Sequence, residues 1–273
     1  ELCQQLEQRG AVPQARALYD HQALAVRAAR EKEPKGELPR PGLVVTAGTG
    51  AGKTEAFLLP VLDDLFTTPR QGNGVRAVVL YPMNALAEDQ LGRLRGLLAG
   101  TGISFGMYVG KTPQYERDVA GIRLPAGSSR ADYFAAMSKA QLENRGETVY
   151  PSEEVCSREM MRAKGKQPRI LLTNVKQLEL LLTRQTDVEL FAGARLDHLV
   201  FDEAHTFTGA QGAETACLIR RLRRFVGRSI DATTCIATSA TIVDRDRPDA
   251  AHEFAERFFG VPSSSVATVG EAY

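Results

Sequence analysis

One stretch constrains this chain more than any other: an apolar run, a glycine-rich turn, then a helix that opens on Lys-Thr. Leu43, Val44 and Val45 read as the tip of a buried strand, and Ala47-Gly48-Thr49-Gly50-Ala51-Gly52 follows, half of it glycine. Lys53-Thr54-Glu55 then opens a segment whose apolar residues Ala56, Leu59, Val61, Leu62 and Leu65 suit one helix face. Strand, glycine-rich loop and helix in this order form the setting of a Walker A loop. Glycines let successive N–H groups turn toward phosphate oxygens, and the helix N-terminus adds positive potential. Lys53 is then placed to reach the β- and γ-phosphates, and the Thr54 hydroxyl to take a site on Mg²⁺. The usual first glycine is Ala47 here. The chain is expected to bind a nucleoside triphosphate.

Composition narrows the remainder mostly by exclusion. With 273 residues, 43% of them apolar, the chain can build one large core or two small ones. Basic and acidic residues number 34 and 33, so bulk charge does not mark a nucleic-acid binder and any such role must sit in particular loops. Cys3, Cys156, Cys217 and Cys235 are far apart with no Cys-x-x-Cys, against both zinc and a disulfide framework. No apolar run nears the roughly 18 residues of a membrane helix, and no leader pattern opens the chain. A soluble, cytoplasmic protein with no membrane partner is expected. Neither end looks like a terminus, as if the chain were cut from something longer.

Residues 1–30 read as helical, broken near Gly10 and Pro13, and contain Tyr19-Asp20-His21-Gln22 with Asp20 as an N-cap. Gln22 is either a surface glutamine or, some thirty residues before the loop, an amide that both donates to and accepts from adenine, with Tyr19 against the base. A charged, Pro/Gly-rich segment from 31 to 42 leads into the first strand. Val75–Tyr81 reads as a second strand, and Pro82-Met83-Asn84 precedes a helix striped by Ala87, Leu91, Leu94 and Leu98, with Asn84 as its cap. A third strand, Ile103–Val109, ends in Gly110-Lys111-Thr112. Loops at the C-terminal ends of strands are where open α/β sheets bind ligands, and these carry the groups that suit a phosphate backbone. Lys111 alone is equally a solvated loop charge.

Residues 113–168 depart from the pattern and read as a helical insertion, with an amphipathic helix through Tyr133, Phe134, Met137 and Leu142; its function is opaque. Order returns with a strand through Thr173 and a helix capped by Asn174, which either caps alone or, with Thr173, also holds a phosphate. Leu196–Phe201 is the next strand, ending in Asp202-Glu203-Ala204-His205. Asp202 at the tip can hold Mg²⁺ through water, Glu203 can orient and deprotonate the attacking water, and His205 can couple the site to its neighbours. The helix from 212 to 226 should bury Leu218, Leu222 and Phe225 and turn Arg220, Arg221, Arg223 and Arg224 to solvent or along a DNA track. A last strand, Cys235–Thr241, sets Ser239 and Thr241 to bond the two carboxylates. Asp249 then caps a final helix that Gly260 stops.

Taken together, Tyr19-x-His21-Gln22, AGTGAGKTE, YPMNALAEDQ, ILLTNVKQLELLL, DEAH and TSAT resemble, in that order, the first RecA-like domain of superfamily 2 helicases. The resemblance implies a doubly wound, mostly parallel α/β sheet with helices on both faces over 43–260. Residues 1–42 carry the glutamine motif, and 261–273 begin a linker to a second RecA-like lobe. By the same resemblance ATP and Mg²⁺ are the cofactors. Lys53, Thr54, Asp202 and Glu203 are hydrolytic, the loop from Ala47 to Glu55 cradles the nucleotide, and Gln22 reads adenine. Pro82, Met83, Asn84, Gly110, Lys111, Thr112, Thr173 and Asn174 match positions on the nucleic-acid backbone, and His205, Ser239 and Thr241 the coupling positions. HTFTGAQGAETACLIRR and HEFAERFFG look most like MrfA-type bacterial DNA helicases and relatives in phage-defence systems such as DISARM. The expected protein is a DNA helicase or translocase lobe in phage defence or DNA repair, with defence-system subunits as possible partners. The lobe should hydrolyse poorly alone, because the second lobe supplies the transition-state arginine. An RNA helicase or remodeller, or an ATP-gated lobe that translocates along nothing, are the alternatives.

Overall fold

The computed structural model describes residues 18–30, 41–48, 52–68, 74–143, 146–240 and 249–270. Thr49, Gly50, Ala51 and Thr241 lie outside the described residues, as do 1–17 with the break read at Gly10 and Pro13.

Seven strands form one sheet: β1 (Gly42–Thr46), β2 (Ala77–Tyr81), β3 (Phe105–Met107), β6 (Ile170–Asn174), β7 (His198–Phe201), β8 (Thr234–Ser239) and β9 (Val266–Gly270). Their order is β3-β6-β2-β7-β8-β1-β9, and every pairing is parallel. Strands covered on both faces read as continuous apolar runs, and β2 is buried at all five positions. Helix α1 (Asp20–Arg30), α2 (Lys53–Thr67) and α3 (Asn84–Leu98) cover one face, packing Ala25, Phe57, Leu62 and Leu91 against Val45, Val79, Leu172, Val200 and Ile236. Helix α6 (Val175–Leu181), α7 (Gly209–Phe225) and α8 (Ala250–Phe259) cover the other, packing Leu178, Leu222 and Phe258 against Leu80, Leu171, Leu199, Phe201 and Ala237. Because the strand period is two, residue parity decides which layer each strand-tip side chain enters.

The insertion folds on the α3 side. Helix α4 (Arg130–Leu142) packs Tyr133 and Ala140 on Ala99 and Val149, beside the short parallel pair β4 (Ile122–Arg123) and β5 (Val149–Tyr150). Arg95 of α3 grips Glu154 with two bonds, 2.6 and 2.9 Å. Burial pushes the Glu154 carboxyl up, against the pull of Arg95. Helix α5 (Arg158–Arg162) closes the segment.

Several sequence expectations change here. Residues 266–270, read as part of a linker, are edge strand β9 paired along all of β1. Val266 and Val269 are buried by that pairing, which nothing local announces. Leu142 is 87% exposed, since α4 presents only a narrow apolar edge to its small core. Helix α7 starts at Gly209, three residues early; Phe225 is largely exposed, whereas Arg223 is buried and donates to the Phe259 carbonyl. Asp249 stands at the N-cap of α8 without a side-chain cap bond, and Gly260 ends that helix at φ 72°.

Candidate active site

Parallel strands put all their C-terminal ends on one edge, and the loops of β1, β7 and β8 converge there because these strands are neighbours. Val200 faces the α2 layer, so Asp202, two residues on, faces it too and feels the charge of Lys53 at the start of α2. Lys53 is 8% exposed, and its Nζ donates to Glu203 Oε1 at 2.9 Å. Asp202 accepts from the Thr238 hydroxyl, and the Glu203 N–H donates to Asp202 Oδ1 at 3.1 Å. Burial, the largest cause, pushes the Asp202 carboxyl up; the Thr238 hydroxyl opposes it and the neighbouring Glu203 charge adds to it. A buried carboxylate disfavoured in this way fits a place beside a cation.

Glu203 holds φ 51° and ψ 47°, the left-handed region that L-residues rarely enter. Such a conformation costs about 1–2 kcal/mol. The Thr206 N–H and hydroxyl both bond the Glu203 carbonyl, at 3.0 and 2.8 Å, and hold the residue there. The bend turns its carboxylate toward Lys53 and, at 3.4 Å, toward His205 Nδ1.

Gln22 is 5% exposed, and its amide is used from both ends. Its Oε1 accepts from the Tyr19 N–H at 3.1 Å, and its Nε2 donates to the Gly52 carbonyl at 3.1 Å. The amide is therefore tied to the loop that precedes Lys53. Gly52 lies at φ 80°, and a Cβ there would come within 2.3 Å of Gln22 Nε2, so only glycine fits. Tyr19 stacks on His21 with centroids 5.7 Å apart. Glu55 pairs with Arg93 of α3. Ala47 donates its N–H to the Ser239 carbonyl at 3.2 Å, joining β1 to β8; Gly48 follows it, and Thr54 is half-buried on the first turn of α2.

Sequence reading gave the carboxylate contacts to Ser239 and Thr241, but the hydroxyl on Asp202 belongs to Thr238. Thr238 shares its face with Ile236 and the α2 layer, whereas Ser239 shares the opposite face with Ala237 and sits 3.4 Å from His205 Nδ1. Pleat parity was the signal that could have found Thr238.

On the other half of the edge the ends of β3, β6 and β2 stand side by side. Asn174 accepts from the Gln177 N–H at 2.7 Å, capping α6, and its Nδ2 donates to Asn84 Oδ1 at 2.6 Å. Asn84 is thereby the first residue of α3 and a partner of Asn174, not a cap; Met83 holds the cap position and is 60% exposed beside half-buried Pro82. Lys111 is exposed, 3.6 Å from Glu88. Two other residues are committed inward. The Thr112 hydroxyl donates to the Met107 carbonyl and accepts from the Val109 N–H, and the Thr173 hydroxyl donates to the Tyr108 carbonyl. They shape the loop instead of facing outward. Arg158, unmarked in the sequence, reaches from the insertion to the Gly110 carbonyl at 2.8 Å.

The parallel sheet, Lys53 at the start of α2 and the paired carboxylates together define a RecA-like nucleotide-binding domain. The profile of the DEAD/DEAH box helicases matches residues 19–128 and 131–248, and the chain belongs to that family. Druantia protein DruE of Escherichia coli (strain UMEA 4076-1) is 32% identical, over 73% of this chain and 15% of that protein. An uncharacterized ATP-dependent helicase, YprA of Bacillus subtilis (strain 168), is 29% identical over 83% of this chain and 23% of its own length. The crystal structure of the DUF1998 helicase MrfA bound to DNA and AMPPNP superimposes with a TM-score of 0.57 at 25% identity, over 98% of this chain and 28% of that one. Proteins named RNA helicases match as well. The chain thus spans less than a quarter of the two curated relatives. Among the described residues no helix is long and apolar enough to cross a membrane.

Proposed function

We propose that this chain is the ATP-binding motor lobe of an ATP-dependent DNA helicase or translocase, completed by a second RecA-like lobe. The observation that carries the reading is the convergence of Lys53, Asp202 and Glu203, with Thr238 on Asp202 and Gln22 on the Gly52 carbonyl. The residues fit ATP and Mg²⁺: a nearly buried lysine and a desolvated carboxylate lie together where a phosphate and a cation would each find a counter-charge. Bound ATP and Mg²⁺ would supply the phosphoanhydride and the charge neutralisation. Lys53, exchanging Glu203 for the γ-phosphate, balances charge there. Asp202 and Thr54 would hold the cation. Glu203, released from Lys53, orients a water and takes its proton as that water attacks. His205 and Ser239 relay the state of Glu203 toward α7, and Gln22 ties adenine recognition to the loop.

The nucleic-acid face is the half-edge of β3, β6 and β2, where Lys111, the Asn84–Asn174 pair and the Pro82–Met83 turn meet the backbone, while Thr112 and Thr173 fix the loop. DNA is favoured over RNA because the MrfA structure, with 25% identity over 98% of this chain, was determined with DNA. Its setting, phage defence with partner subunits or DNA repair, rests on resemblance alone. Steady-state ATP hydrolysis by the full-length protein tests the reading: single-stranded DNA should stimulate it and RNA of the same sequence should not. Stimulation by RNA alone would make it an RNA helicase. Indifference to both would make it an ATP-gated lobe that moves along nothing.

A further inference from the structure

The segment that leaves the candidate backbone loop carries an exposed aromatic ring. Tyr115 lies four residues after Lys111 and is 42% exposed, whereas Tyr81, Tyr108 and Tyr133 are all buried. Its backbone is pinned on both sides. The Pro113 and Gln114 carbonyls accept from the N–H groups of Arg158 and Glu159 at the start of α5, at 2.9 and 3.1 Å. The Glu116 N–H donates to Glu159 Oε2 at 3.2 Å, and the Asp118 N–H to the Tyr115 carbonyl at 3.1 Å. An exposed ring is thus held on a fixed support.

Arg117 completes the arrangement. Its guanidinium carbon stands 4.5 Å from the Tyr115 ring centroid, and its side chain is 78% exposed with Asp118 4.0 Å away. Every nucleobase has a π-face, so a rigid, solvent-facing aromatic beside a cation suits an unpaired base whatever its identity. Four residues span roughly 14 Å at full extension, a distance that a few nucleotides cover. The ring therefore lies within reach of a strand whose backbone passes Lys111.

We propose that Tyr115 and Arg117 form a stacking platform for one unpaired base of the single-stranded DNA that the Gly110–Thr112 loop contacts. The proposal rests on the nucleic-acid face assigned above and gives the insertion a direct part in holding the strand. Arg117 lies against one ring face, its charge also drawing in the flanking phosphate, and the base takes the exposed part of the ring.

The test is fluorescence anisotropy of the full-length protein on a tailed duplex whose junction fixes the register, with one abasic site stepped along the tail. Tyr115→Ala should weaken binding about tenfold and Tyr115→Phe by less than about twofold, in the range of single stacked bases. One abasic position should weaken the wild type to the same extent and leave Tyr115→Ala no weaker than before. Tyr115→Ala binding like wild type, while Lys111→Ala binds less well, would overturn the platform and leave the face standing. Losses that add at every abasic position would also overturn it, because the ring would then act on the loop and not on a base. A wild-type protein that binds no tail would overturn the face and the platform together.

Discussion

The two ends of the central sheet both gather charge, and they do opposite things with it. At the N-terminal edge Arg76, 4% exposed, donates to Asp64 at 2.7 Å and to Asp197 at 2.6 Å. His198 Nε2 lies 3.0 Å from Asp64, and Arg228 lies 3.0 Å from Asp197. Arg76, Arg228, Asp64 and Asp197 there each meet an opposite charge. Burial works to raise the Asp64 carboxyl, but His198 and Arg76 hold it down to about 2. At the C-terminal edge Asp202 is pushed up by burial, and nearby Lys53 is taken by Glu203. The first cluster is closed on itself and ties α2, β2 and β7 together. Among the described residues the second has more negative than positive charge, with a strained residue at its centre, which is the condition of a site that a ligand completes.

The contrast can be broken from either end. The largest effect should come from Glu203→Gln in the full-length enzyme. Removal of the proposed general base should cost roughly 10²–10⁴ in kcat, while nucleotide affinity holds. Turnover within threefold of wild type would remove Glu203 from its role. At the other edge, Arg76→Leu should destabilise the fold by about 3 kcal/mol, the cost of stranding buried Asp197 and half-buried Asp64, read as a lower urea midpoint. A loss under about 0.5 kcal/mol would show that His198 and Arg228 suffice.

Smaller changes sharpen the comparison. Thr238→Val keeps shape but leaves Asp202 without its hydroxyl, a loss of about 1–2 kcal/mol, seen as a higher Mg²⁺ requirement for hydrolysis. Thr238→Ser should restore it, and equal effects from Ser239→Ala would contradict the assignment by parity. The smallest effect concerns acid. The folded-state pKa of Asp64 is depressed from 3.8 to about 2, so its contribution is present above about pH 4 and is lost as pH falls toward 2. With its partial exposure that contribution is about 1 kcal/mol. Asp64→Asn should therefore be less stable than wild type at pH 6 and match it near pH 2. A gap that persists at pH 2 would point to packing.

The sheet and its strand tips were legible because apolar runs are local. So were Lys53, Asp202 and Glu203, which follow the ends of β1 and β7, the two strands that flank β8. What escaped depended on long-range partners. Strand β9 exists through its pairing with β1, and Thr112 and Thr173 look like ligand hydroxyls until Met107 and Tyr108 carbonyls are seen to take them. Arg223 reads as solvated until α8 packs over it. Thr238 was within reach, since Val200–Asp202 and Ile236–Thr238 follow one alternation. Asn84 and Asn174 read as two separate caps, and only the adjacency of β2 and β6 makes them a pair.

Lys53 and Glu203 are expected to neutralise each other only until a triphosphate arrives. Titration of the full-length protein with a fluorescent, non-hydrolysable ATP analogue and Mg²⁺ tests it most directly. Lys53→Ala should weaken binding about 10- to 100-fold, the worth of a charge-assisted hydrogen bond. Glu203→Gln should bind as tightly as wild type or more tightly, because its lysine is no longer held by a charge. Undiminished binding by Lys53→Ala, or loss of binding in Glu203→Gln, would contradict the account.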